Sequence, residues 1–120
     1  YENIMLADFE VDFNSIASAI AFYAPKNLKI ERLYLHDTAN YGMYIANGDY
    51  VWVKDCRVEN LTGSGTQAGI QFKGVQHGWV INNRVYNVHA GSGNQGVDSH
   101  ASDGTYARNG TLYFTAKLCI

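Results

Sequence analysis

Asp98 and His100 stand two residues apart in the run Gln95-Gly96-Val97-Asp98-Ser99-His100. Residues two apart on an extended strand share a face, so the Asp98 carboxylate is expected beside the His100 imidazole. A carboxylate there orients the ring and holds it cationic, as in an acid–base pair. Lys73 supplies a cation 27 residues earlier. A cation on a carboxylate, with a base for the neighbouring C–H proton, is what proton removal α to that carboxylate requires. The simpler reading is a surface Asp–His pair and an unrelated lysine. A two-carboxylate hydrolytic site needs acids ~5–9.5 Å apart on one face. Asp103, in the turn beyond Asp98, is the candidate second acid.

These residues are positioned by an internal repeat. Ile4-Met5-Leu6, Leu28-Lys29-Ile30, Val51-Trp52-Val53 and Gly78-Trp79-Val80 begin four similar units. Val11, Leu35, Val58, Val85 and Leu112 follow at steps of 24, 23, 27 and 27 residues. Ile20, Met43, Ile70 and Val97 keep the same frame, with steps of 23, 27 and 27. Apolar residues alternate with period two, so the units are built of half-buried strands. In the third unit these are Val51–Val53, Cys56–Val58 and Gly69–Lys73. Lys54-Asp55 and Asn82-Asn83 form tight polar corners, where Asn and Asp suit a left-handed backbone. Ser15–Tyr23, with three alternating alanines, also admits a short helical turn.

A unit of ~25 residues has no core of its own, but stacked units share one. The frame predicts an all-β fold: a right-handed parallel β-helix of about five rungs. It forms one domain over residues 1–120, with 113–120 out of frame. The chain reads as an excised piece of a longer solenoid, or one whose ends are covered by partners.

The corner residues Asp55 and Asn82-Asn83, the strand starts Gly69-Ile70 and Gly96-Val97, and the run Trp79-Val80-Ile81-Asn82-Asn83 carry a family resemblance. Over residues 4–112 the sequence resembles the pectate-lyase-like superfamily of right-handed β-helices. That group includes polysaccharide lyases, alginate epimerases, some glycoside hydrolases and phage tailspike depolymerases. The run 95–100 is similar to the Tyr-Gly-x-Asp-Pro-His element of the epimerases and to Asp-x-His strands of phage depolymerases. Gln95 stands where the epimerase element has Tyr, and Ser99 where it has Pro.

In this frame the neighbours of the inward residues form outward columns. One is Ala21, Tyr44, Gln71, Asp98; the next is Tyr23, Ala46, Lys73, His100. The resemblance implies that a polysaccharide lies along this strip. Lys73, Asp98 and His100 are then the catalytic candidates, and Tyr23, Tyr44, Gln71 and Gln95 the substrate-binding ones. The acid role is left open, with Tyr44 two rungs below His100. A second column is Lys29, Trp52, Trp79, Tyr106, readable as a sugar platform or as cross-strand or subunit packing. Arg57 and Arg84 form a third outward pair on a solvated face. Cys56 reads as a small core residue and Asn83 as an inward corner ligand. His36, His77 and His89 read as solvated corner or loop residues.

Composition narrows the function. The formal charge is −2 over 120 residues, with nine Lys+Arg against eleven Asp+Glu, which gives no general attraction to nucleic acid. No apolar run is long enough for a membrane span. Two cysteines, Cys56 and Cys119, make neither a metal motif nor a disulfide framework. No cofactor is required, and a Ca²⁺ site would need the fold to gather Asp37, Asp49 and Asp55. The expected protein binds an extracellular acidic polysaccharide and, if an enzyme, cleaves it by elimination or epimerises it. The alternative is a non-catalytic segment of a phage tailspike or surface protein, with a homo-oligomer (a trimer in a tailspike) as partner. Either belongs outside the cell or on a virion.

Overall fold

The computed structural model describes residues 2–16, 19–63, 68–88, 95–100 and 111–119; in the last two segments it describes the backbone, together with the side chain of Val97. Twelve strands are present among them. β1 (Glu2–Ala7), β4 (Lys26–Glu31), β7 (Asp49–Lys54) and the first half of β10 (His77–Val88) stack as a first wall. β2 (Glu10–Asp12), β5 (Tyr34–Thr38), β8 (Arg57–Leu61) and the second half of β10 make the second. β3 (Ile20–Tyr23), β6 (Met43–Ala46), β9 (Ala68–Lys73) and β11 (Gln95–His100) make the third. β12 (Thr111–Cys119) pairs with β10. All neighbours are parallel. β1–β3, β4–β6 and β7–β9 are three complete turns of a β-solenoid, and β10, β11 and β12 continue the winding.

Each ladder follows the alternation in the sequence. Leu28 and Val51 are paired neighbours on the first wall, as are Leu35, Val58 and Val85 on the second. Met43, Ile70 and Val97 lie above one another on the third. These side chains turn inward and, with Ile30, Ile45, Val53 and Phe72, form a single dry column between the walls. Within Ser15–Tyr23, Ile20–Tyr23 is a strand paired with β6; residues 17 and 18 lie outside the described residues.

The corners are left-handed. Asp8, Arg32, Asp55 and Asn82 have φ of 61°, 51°, 54° and 53° between the first and second walls. Asn14, Asp37, Asn60 and Asn87 have φ of 52°, 57°, 58° and 56° at the end of the second. Asn and Asp tolerate this region better than other side chains, and here they also bond between turns. Arg32 grips Asp8 from Nε and Nη2 at 2.5 and 2.9 Å. Asn82 donates to Asp55 at 2.5 Å, Asn60 to Asp37 at 3.1 Å and Asn87 to Asn60 at 2.8 Å. Just inside the first corner, buried Asn83 accepts from Cys56 N at 2.8 Å and donates to Val53 O at 2.9 Å.

The C-terminal side departs from the 27-residue step. Residues 113–119, expected to leave the frame, lie in β12 and pair with β10, with register shifts around Asn83. Leu112 therefore pairs with Gly78, and Cys119 takes the place beside Val85. Tyr113 holds the register position beside Trp79, where the 27-residue step puts Tyr106. The last repeat is longer than the 27-residue step, so adding that step to Trp79 stops short. Tyr106 itself lies outside the described residues.

Candidate functional site

The third wall brings the predicted strip into register. Ala21 pairs with Tyr44, Tyr44 with Gln71, and Gln71 with Asp98. Tyr23 pairs with Ala46, Ala46 with Lys73, and Lys73 with His100. Gln95 begins β11 opposite Ala68. Tyr23 is 61% exposed, and its ring lies 5.8 Å from that of half-buried Tyr44, tilted by 54°. Tyr41, which the sequence reading passed over, adds a third ring 5.5 Å from Tyr44. Lys73 is half-buried. Gln71 differs from expectation: only 6% exposed, it is covered and does not line an open groove. The Asp98, His100 and Gln95 backbones are placed by β11, and Asp103 lies outside the described residues.

On the first wall the aromatic side chains stack across the strands. The Trp52 and Trp79 rings are 4.4 Å apart and 3° from parallel. Tyr50 stacks on His77 at 4.8 Å and lies 6.2 Å from Trp52. His77, at the start of β10, also bonds Asp49 through Nδ1 at 2.6 Å, so it is not a solvated loop histidine. These rings cover one another, which is the cross-strand packing reading.

The second wall holds a network that sequence reasoning missed. His36 lies on β5, its side chain 12% exposed, and not in a solvated corner. Its Nδ1 is 2.5 Å from Asp37 Oδ2 and its Nε2 is 2.7 Å from Glu10 Oε1. Two carboxylates on opposite nitrogens favour the imidazolium. The Asp37 bond raises the His36 pKa above its ordinary value against the effect of burial, and Glu10 adds to it. Asp37 is held low in turn by His36 and Asn60. Tyr34 stacks on His36 at 4.5 Å and donates its hydroxyl to Glu59. Arg57, expected on a solvated face, lies 4.7 Å from the Tyr34 ring and bonds Glu59 at 2.7 and 2.9 Å. Arg84 lies over Tyr86. Burial opposes ionisation of Glu59, but the Tyr34 and Arg57 bonds hold its pKa below the usual range.

Asp12, His36 and Asp37 bring a ring nitrogen and two carboxylates within 4.8 Å of one another. Both His36 nitrogens are engaged by carboxylates, so a divalent ion there would have to displace a ring proton. The Ca²⁺ trio of the sequence reading does not gather, since Asp37, Asp49 and Asp55 engage His36, His77 and Asn82 at different corners. Cys56 is buried, and burial pushes its thiol up to about 11, as suits a core residue. His89 lies outside the described residues. No helix among the described residues is long and apolar enough to cross a membrane.

The family model for a right-handed β-helix region matches residues 8–113. The chain belongs to the right-handed β-helix family. No curated protein and no solved structure matches it. In this β-helix the three walls carry different chemistry. The first has stacked rings, the second a closed ionic network, and the third an open row of tyrosines beside Lys73.

Proposed function

We propose that this β-helix binds an extracellular acidic polysaccharide along its third wall, with Lys73 and His100 at the centre of the contact. The observation that carries the reading is the shared register of Tyr23, Tyr44, Lys73, Asp98 and His100 across four adjacent strands. Parallel strands repeat at ~4.8 Å, close to the scale of a sugar ring, so an extended glycan along the stack meets a new rung at every step. Exposed Tyr23 and half-buried Tyr44 present ring surface, and Lys73 a cation for a uronate carboxylate.

The resemblance to pectate-lyase-like enzymes extends this to chemistry. Lys73 would stabilise the charge that develops on the uronate carboxylate as the α proton leaves. His100, oriented by Asp98, would take that proton. Loss of the 4-substituent gives a lyase, and reprotonation from the other face gives an epimerase. Gln95 at the start of β11 would line one side of the groove. Gln71, being covered, would support the wall beneath.

The test is incubation with a panel of acidic and neutral polysaccharides. Retention on immobilised glycan reports binding. Unsaturated-uronate absorbance, reducing ends and proton exchange at C5 report reaction. Acidic glycans should be retained and Lys73→Met should release them. Equal turnover by His100→Ala, or none by the wild type, removes the catalytic part. Retention that ignores Lys73→Met removes the binding part.

One observation favours the second reading, a non-catalytic segment of a tailspike or surface protein. Trp52 and Trp79 of the first wall stack on each other, and the ionic groups of the second wall bond one another. Such walls suit a stiff shaft, which would work as a homo-oligomer, a trimer in a tailspike. Glycan retention without turnover, together with a trimeric mass in solution, would support it.

A further inference from the structure

The aromatic column of the first wall has an open end. Trp79 closes one face of Trp52. The other face looks toward the preceding turn, where Lys29 holds the paired position and its Nζ is 5.5 Å from the ring centroid. Met5 holds the next position, so the wall steps down from an indole to narrower side chains. The step leaves a groove of about 400 Å³ lined by Asn3, Ile4, Met5, Asn27, Lys29 and Trp52. That volume falls within the range of small-ligand sites.

The lining combines three kinds of chemistry. Trp52 gives a flat apolar face. Asn27 donates to Asn3 Oδ1 at 3.1 Å, which fixes both amides on the lip. The bond leaves the Asn3 amide hydrogens to donate and the Asn27 carbonyl oxygen to accept. Lys29 makes no ion pair among the described residues, and its ammonium lies over the Trp52 ring where that ring lines the groove. A flat face, paired amides and an unneutralised cation match a pyranose with one carboxylate.

We propose that this groove is a second saccharide subsite, selective for a uronate, on a wall separate from the third. The Lys29 ammonium swings off the Trp52 ring to pair with the sugar's carboxylate, the sugar ring takes its place against that face, and its hydroxyls bond Asn3 and Asn27. The class of ligand rests on the acidic-glycan reading; the location rests on the groove alone.

The chain has two tryptophans, Trp52 and Trp79, and both lie in this column, so intrinsic fluorescence reports directly on the groove. The whole chain is titrated with galacturonate and mannuronate trimers and with a neutral glucose trimer. At least one uronate trimer should change the emission saturably, with the glucose trimer about tenfold weaker. Lys29→Met should weaken the uronate about tenfold, and Asn27→Gly, which keeps the left-handed backbone, several-fold. Lys73→Met should leave the midpoint where it was. The proposal is overturned by no emission change with either uronate, by a midpoint indifferent to Lys29→Met, or by equal binding of the neutral sugar. Calorimetric heat that needs Lys73, with silent tryptophans, would reject the groove and keep the third wall. A Lys29-dependent emission change, with all heat independent of Lys73, would reject the third wall and keep the groove.

Discussion

The Asn83 side chain ties its own turn to Cys56 one turn below, accepting the Cys56 N–H at 2.8 Å across 27 residues of sequence. Its amide also donates to Val53 O at 2.9 Å, so one buried side chain satisfies a donor and an acceptor at a corner where strand pairing breaks. Asn83→Ala strands both groups in a dry environment, and the expected loss is roughly 2–4 kcal/mol by urea unfolding. Asn83→Asp should be comparably destabilised at neutral pH and partly recover in acid. Burial raises the folded-state pKa of such an aspartate, so its protonated, donating form is favoured as pH falls. A neutral Asn83→Ala would show that water replaces the amide.

Gly42 is held by close approach. A Cβ there would come within 2.4 Å of a Val58 methyl and 2.6 Å of the Gly69 carbonyl oxygen. Gly42→Ala should cost roughly 1–3 kcal/mol through overpacking. Adding Val58→Ala should not restore stability, because the carbonyl contact remains. Full rescue by the double change would place the strain in the side chain alone.

The second wall should make stability depend on pH through His36. Its folded-state pKa is raised above 6.5 by Asp37 and Glu10. The linked stability is therefore fully present below about pH 6.5 and is lost as pH rises through the higher folded value. Asp37 and Glu59 have lowered values, so their contribution is lost only as pH falls through the acidic range. Urea midpoints should decline from mildly acidic to alkaline pH in the wild type, and less so in His36→Gln. Parallel curves would mean that His36 is not the titrating group.

Tyr23 is 61% exposed and touches Tyr44 at its ring edge. Tyr23→Ala should shift the unfolding midpoint by no more than ~0.5 kcal/mol equivalent, since exposed side chains contribute little to stability. It should still weaken retention on acidic glycan several-fold. Unchanged retention would take Tyr23 out of the binding strip.

Cys56 is 2% exposed and its thiol is pushed up to about 11. In a Cys119→Ser chain at pH 8, a thiol reagent should label Cys56 only as fast as the solenoid opens. Prompt labelling in the folded state would contradict the burial.

Much of the fold was legible because an inward column needs apolar residues at every second position, and Met43, Ile70 and Val97 supply them in one frame. The Tyr113 place was not, because alternation records the face of a strand and not the length of the loop before it. The His36 network was hidden for another reason. It needs a left-handed Asp37, φ 57°, to turn its carboxylate back onto the ring, and Glu10 and Asp12 from the turn below. Residue types alone, at spacings of 24 to 26, carry no sign of that convergence. Gln71 shows the limit of alternation as well, since an outward position can still be covered.

The left-handed corners also divide the turn into fixed and adjustable parts. Asn27 to Arg32 and Tyr50 to Asp55 are both intervals of five residues, and Ala24 to Asn27 and Asn47 to Tyr50 are both three. Asp37 to Asn47 is ten, whereas Asn60 to Gly74 is fourteen. Between the second and third turns the chain thus grows in the connection that enters the third wall. In the last turn it grows again between β11 and β12, where His100 to Thr111 is eleven residues against four from Lys73 to His77. Insertions at the connection that enters the third wall can reshape the rim of the tyrosine row without disturbing the columns beneath, a built-in place for changes of specificity.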